Sequence, residues 1–123
     1  MKQTRKHIKA ELPKAENKTQ SKYLLFGVVF IILCWTFICF YPSVKCGFIN
    51  WDDNIYVYEN TMIQQKTIPI KELFSTPVAS NYHPLTMLTL AMNYQSSGLN
   101  PAPYHLTNVF LHLLNTLLVF IFI

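Results

Sequence analysis

Charge is scarce in this chain. Charged residues fill 13% of its 123 positions against 51% for hydrophobic ones, which leaves too little polar surface for an ordinary soluble domain of this size. Cysteine is scarce as well: Cys34 and Cys39 fall inside an apolar run and Cys46 stands alone after it. The sequence therefore has neither a disulfide framework nor a thiolate metal spacing. No arginine follows Arg5, and no charged residue lies between Tyr23 and Tyr41. No clean small-x-small cleavage signal follows that run, which favours a retained anchor over a cleaved signal peptide. Lys45 precedes Cys46-Gly47 where a lipoprotein processing site needs a small residue, so that reading is set aside.

Two apolar blocks hold the excess. YLLFGVVFIILCWTFICFY, residues 23–41, is 19 residues long, about the length that crosses a hydrocarbon core of roughly 30 Å as a helix. LTNVFLHLLNTLLVFIFI, from Leu106 to Ile123, is uncharged when His112 is neutral. The expected spans are 23–41 and 105–123. Seven of the ten basic residues (Lys2, Arg5, Lys6, Lys9, Lys14, Lys18, Lys22) precede the first span, against only Glu11 and Glu16. By the positive-inside rule residues 1–22 form a cytoplasmic tail, polar and aperiodic enough to be disordered, and the loop 42–104 is extracytoplasmic. A basic tail can also bind nucleic acid, but this one lacks interleaved aromatics and abuts a span. Lipid headgroups are thus the expected contact and no nucleic acid is expected as a partner. Asn17-Lys18-Thr19, the one Asn-x-Ser/Thr triplet, stays on the cytoplasmic side and unmodified.

Within the loop, FINWDDNIYVY sets Asp52 and Asp53 side by side among aromatic and apolar residues. Adjacent carboxylates repel, so the pair is either a turn or a site. IPIKELF starts a short helix at Pro69. NYHPLTMLTLAMNYQ predicts a helix of about three turns from Pro84 with Leu85, Leu88 and Met92 on one face, too short to span and suited to the membrane interface. The loop offers little else apolar for such a helix to pack on. Gly98 ends it and Asn100-Pro101 starts the next. There His105, Asn108, His112 and Asn115 share one face of an otherwise apolar helix, as interhelical hydrogen-bonding groups or as the lining of a wet cavity. A single first span cannot satisfy four such side chains. The chain stops inside the apolar segment at Phe120-Ile121-Phe122-Ile123, so it is expected to be the amino-terminal piece of a larger polytopic protein whose downstream transmembrane helices are missing partners. The fold class is all-α integral membrane: two transmembrane helices joined by an extracytoplasmic loop with short amphipathic interfacial helices.

The ordered motifs FINWDDNIYV, LFS, NYHPLTMLTLAMNYQSSGLNP and YHLTNVFLHLLNTLLVF resemble the start of the transmembrane and tetratricopeptide repeat proteins. These are protein O-mannosyltransferase-like members of the GT-C glycosyltransferase superfamily, with bacterial relatives. The resemblance covers roughly residues 24–123. It implies a multispanning enzyme that moves a sugar from a polyprenyl- or dolichyl-phosphate carrier to an acceptor hydroxyl on a protein or glycan. Asp52 and Asp53 match the position of that superfamily's essential acids in the first extracytoplasmic loop. One would act as base, and the other would orient the acceptor or help hold a divalent cation. Tyr82, His83 and His105 are candidate contacts for carrier phosphate or acceptor, with capping or packing as their alternative. Most of the positive charge that a leaving lipid phosphate needs must come from beyond residue 123, and the chain alone is expected to be inactive. A bacterial inner membrane is favoured over the endoplasmic reticulum membrane. The competing class is a small non-enzymatic membrane adaptor or assembly subunit whose loop docks a partner.

Overall fold

The computed structural model describes residues 18–122. The basic tail up to Asn17, with the asparagine of the triplet, lies outside the described residues. Four α-helices follow: α1 (Lys18–Phe40), α2 (Ile70–Leu73), α3 (Pro84–Ser97) and α4 (Pro101–Phe122). A 3-10 turn at Tyr41–Lys45 and a π turn at Asn54–Tyr58 lie between α1 and α2. Among the described residues the extended backbone amounts to one isolated bridge between Val78 and Asn81.

α1 begins at Lys18, five residues before the expected start of the span. Lys, Thr, Gln and Ser carry no helix-breaking ring or glycine freedom, and extending an existing helix costs far less than nucleating one. Its other end is set by Pro42, which has no N–H to give, so the chain tightens into the 3-10 turn. There Ser43 Oγ donates to the Phe40 carbonyl at 2.7 Å and the Cys46 N–H to the Ser43 carbonyl at 2.9 Å, satisfying acceptors that the helix end leaves open.

With 23 and 22 residues, α1 and α4 are about 35 and 33 Å long, enough for a hydrocarbon core of about 30 Å. None of the apolar stretch of α1 is buried, and Leu24, Phe26, Phe30 and Trp35 are all about 70% exposed. A helix apolar on every side, and bare except where it meets α4, needs lipid as its solvent. Two hydroxyls inside these helices bond their own backbone, Thr36 to the Ile32 carbonyl at 2.8 Å and Thr116 to that of His112 at 2.9 Å.

The loop, by contrast, holds a core, which the sequence reading did not allow it. Val57, Ile63, Leu73, Met87, Ala91 and Tyr104 are buried together, with Phe48, Ile68, Val78, Leu90 and Tyr94 packed around them. α3 turns Met87 and Ala91 inward; of the face expected to be apolar, Leu88 is half-buried against the core while Leu85 and Met92 are 69% and 56% exposed. Both sides of this helix carry apolar residues, so periodicity alone does not choose between them. The partners do. α2, the π turn and the first turn of α4 all pack on the Met87–Ala91 side, which leaves Leu85 and Met92 as an outer apolar ridge.

α3 ends as its glycine suggests: Gly98 has φ 60° and its N–H reaches the Tyr94 carbonyl at 2.7 Å. Asn100 Oδ1 then accepts the Ala102 N–H at 3.2 Å, opening α4 behind Pro101. α4 touches α1, the 3-10 turn and α3, so it joins the loop core to the apolar helix pair.

Candidate functional site

The acidic stretch folds into a tight turn that runs into the π turn. Trp51 N–H donates to the Ile49 carbonyl at 2.9 Å, Ile49 N–H to Asp53 Oδ2 at 2.8 Å, and Tyr56 N–H to the Asp52 carbonyl at 3.0 Å. The two acids thus differ. Asp53 is half-buried and spends one carboxylate oxygen closing the turn, whereas Asp52 is exposed and its carboxylate accepts no hydrogen bond among the described residues. Asp53 takes part in the turn, and Asp52 is left outside its side-chain hydrogen bonding.

Ring contacts clamp the stretch at both ends. Before the acids, Phe48 meets Tyr104 of α4 edge-on, with centroids 5.2 Å apart at 82°. After them, Tyr56 meets His83 at 5.1 Å and 63°. The Tyr56 hydroxyl also accepts a hydrogen bond from Asn81 Nδ2 at 3.1 Å. Asn81 is delivered by a tight reversal whose central residues, Ala79 and Ser80, both have positive φ, 49° and 66°. Non-glycine residues adopt that region at a cost, which the Val78–Asn81 backbone pair and the Asn81–Tyr56 bond offset.

His83 precedes Pro84 at the N-terminus of α3 but makes no capping bond with its side chain. The alternative of a cap is therefore lost, and its ring packs on Tyr56 instead. Tyr82 is 64% exposed and its hydroxyl donates to the Phe74 carbonyl at 2.9 Å, so its ring faces outward while its polar end is tied to the loop. His105 is half-buried beside Tyr104, whose hydroxyl donates to the Gly98 carbonyl at 2.8 Å.

Among the described residues, three buried side-chain atoms lack a hydrogen-bond partner: Asn54 Oδ1, His83 Nδ1 and His105 Nε2. They come one each from WDDN, YHP and YHL. A buried polar atom left unpaired costs on the order of 1–3 kcal/mol, and such atoms gather where a ligand or an ordered water supplies the partner. Asn54 was not singled out from the sequence, although it directly follows the acids. Phe48, Tyr56 and Tyr104 also escaped notice, because their role is visible only once the rings meet. Asn60 is satisfied and structural: Oδ1 takes the N–H groups of Met62 and Ile63 at 3.0 and 3.4 Å, and Nδ2 donates to the Ile55 carbonyl at 3.2 Å.

The polar stripe of α4 is only partly answered. His112 sets its ring edge on Phe40 at 4.5 Å and 67°, while Asn108 and Asn115 are exposed. The buried polar link of this helix is one the stripe missed: Thr107 Oγ1 donates to Asn93 Oδ1 of α3 at 2.8 Å. Beside it, Phe37 of α1 and Leu106, Val109, Phe110 and Leu113 of α4 line an apolar groove. As for a divalent cation, no three His, Cys, Asp or Glu side chains among the described residues gather as ligands.

No family model matches the chain, and no solved structure matches it. Its sequence is 37% identical over 84 residues to the protein O-mannosyl-transferase TMTC3 of Homo sapiens, covering 60% of this chain and 9% of that protein. It is 35% identical over 97 residues to TMTC3 of Mus musculus, covering 71% and 10%. To the Tmtc3 protein of Drosophila melanogaster it is 32% identical over 108 residues, covering 80% and 11%. The matches thus span about a tenth of the length of these relatives. All three are animal proteins and lend no support to the bacterial inner membrane expected above. Over 60–80% of its own length, this chain is related in sequence to the TMTC protein O-mannosyl-transferases.

Proposed function

We propose that this chain is the amino-terminal membrane portion of a glycosyltransferase that moves a mannose-like sugar from a polyprenyl- or dolichyl-phosphate to a Ser or Thr hydroxyl, with Asp52 as the base. One observation carries the assignment within the pair: Asp53 already holds the Ile49 amide, and Asp52 is the carboxylate left free. The relatives' names as protein O-mannosyl-transferases support the reaction class.

In this reading Asp52 takes the proton of the acceptor hydroxyl as its oxygen forms the bond to the anomeric carbon. The bond from that carbon to the phosphate oxygen breaks, and the polyprenyl phosphate leaves with the electron pair. Asp53 is a positioning residue that keeps the turn closed. Asn54 Oδ1, His83 Nδ1 and His105 Nε2 are unpaired but buried, so a role toward hydroxyls of sugar or acceptor requires the loop to open over them. Lys45, Lys66 and Lys71, all exposed, are the only lysines or arginines after the first span. The charge that stabilises the leaving phosphate is therefore assigned mostly to parts of the full-length enzyme outside this chain. The amino terminus is cytoplasmic and the loop faces the other side of the membrane, following the basic residues before Tyr23.

The test is sugar transfer from a mannosyl polyprenyl-phosphate donor by full-length Asp52→Asn and Asp53→Asn enzymes, with thermal stability followed in parallel. Asn keeps the size of Asp and, at Asp53, an oxygen for the Ile49 amide. Asp52→Asn is expected to lose on the order of a hundredfold or more in rate with unchanged stability, the usual scale of general-base catalysis. Asp53→Asn is expected to keep most of its rate. Parental rates in both variants would reduce the pair to a turn, and a loss confined to Asp53→Asn would invert the assignment.

A further inference from the structure

We infer that the turn bearing the acids is also a membrane anchor: Trp51, with Ile49, inserts into the interfacial zone of the bilayer and seats Asp52 at the depth of the lipid headgroups. Trp51 is 79% exposed and Ile49 67% exposed, on a loop that also buries a core of its own. The turn that carries Trp51 is closed by two bonds to its backbone, which fix where the indole leaves the loop surface.

Its depth follows from the ring clamp. Phe48 packs on Tyr104, which lies in the first turn of α4. The uncharged apolar run of α4 starts at Leu106, directly after Pro101–His105, which puts the first turn of the helix at the hydrocarbon edge. Trp51 is three residues beyond Phe48 and so lies within roughly 10 Å of it along the chain. The end of α1 supplies a second marker at the same side: Tyr41, 45% exposed, follows the apolar helix and meets the Phe37 ring at 5.2 Å with a 41° tilt. Indole and phenol rings prefer this boundary, where one end is apolar and the other wet. The occupant of the Ile49–Trp51 surface is therefore lipid at the headgroup and upper acyl level, continuous with the lipid that covers α1 and α4.

The consequence for chemistry is a fixed height. A sugar carried on a lipid phosphate presents its anomeric carbon at headgroup depth, and a carboxylate next to an interfacial Trp is held at that depth. The anchor itself goes beyond the proposed transfer reaction, and its test reads no transfer.

The chain has two tryptophans, so Trp35→Phe leaves Trp51 as the sole reporter and Trp51→Phe leaves Trp35. Trp35 lies five residues before the end of α1, about 7 Å deeper along the helix, and serves as an internal ruler. Each variant is placed in phosphatidylcholine vesicles carrying bromine at a shallow or a deep acyl position, with helix content checked by circular dichroism. Trp51 emission is expected to fall at least roughly twofold more with the shallow bromine than with the deep one, and aqueous iodide is expected to quench it far less than free tryptophan. Trp35 is expected to favour the deep bromine. Full iodide quenching of Trp51 with no response to bromine would place the turn in water and overturn the inference. Protection from both quenchers would overturn it equally, by giving the surface to a protein contact.

Discussion

Two methionines on one helix separate the core of the loop from its rim. Met87 is 1% exposed and Met92 56% exposed, five residues apart on α3. Truncating Met87 to Ala removes three buried heavy atoms beyond Cβ. At about 0.8 kcal/mol per buried methylene this costs about 2.4 kcal/mol, and the cavity left among Val57, Ile63, Leu73 and Tyr104 raises it within the usual range of about 2–5 kcal/mol. Only six residues form this core, so a loss of that size is a large part of what holds the loop. Hydrogen exchange in nanodiscs reads it locally, at the Leu73 amide bonded to the Pro69 carbonyl at 3.0 Å and the Ile63 amide bonded to Asn60. A drop of about 2.4 kcal/mol speeds exchange through opening about 50-fold. Met92→Ala removes the same atoms from an exposed site and replaces Met by a better helix former, so its effect stays within about 0.5 kcal/mol, or about twofold. Equal acceleration in the two variants, or a larger effect from Met92→Ala, would refute the assignment of faces and the loop core with it.

Thr107→Val leaves Asn93 Oδ1 buried without its 2.8 Å donor and is expected to cost about 1–3 kcal/mol, while Asn93→Leu with Thr107→Val recovers part of that. Thermal unfolding of both singles and the double gives the coupling, and a coupling of zero would sever α3 from α4 at this point. The native thiols report topology: Cys46 is exposed just after the 3-10 turn, whereas Cys34 and Cys39 lie within α1. In sealed vesicles with the cytoplasmic face outward, an impermeant maleimide should label Thr4→Cys in a Cys46→Ala background directly, and Cys46 only after detergent is added. The opposite pattern would reverse the proposed orientation.

Much of the chain could be read without a structure, for reasons local to each segment. The uncharged run from Tyr23 to Tyr41 has the length and the all-round apolarity of a span, and no tertiary contact is needed to make water a poor solvent for it. Pro42, Pro84 and Gly98 mark where helices end or begin, because a missing N–H and a permitted positive φ act on the backbone at that residue alone. The acids, His83 and His105 could likewise be picked out as polar groups placed among apolar ones.

The loop's interior could not. Phe48 meets Tyr104 and Tyr56 meets His83 across long stretches of chain, and no periodicity within one helix encodes such a meeting. Which face of α3 is inward depended on where α2 and α4 lay, since Leu85 and Met92 are as apolar as Met87 and Ala91. The difference between Asp52 and Asp53 had the same origin: identical side chains, adjacent in sequence, told apart only because the turn brings the Ile49 amide to one of them. Composition and local backbone chemistry determined where this protein crosses an apolar phase, whereas contacts between distant residues decided which polar groups of the loop were left without partners.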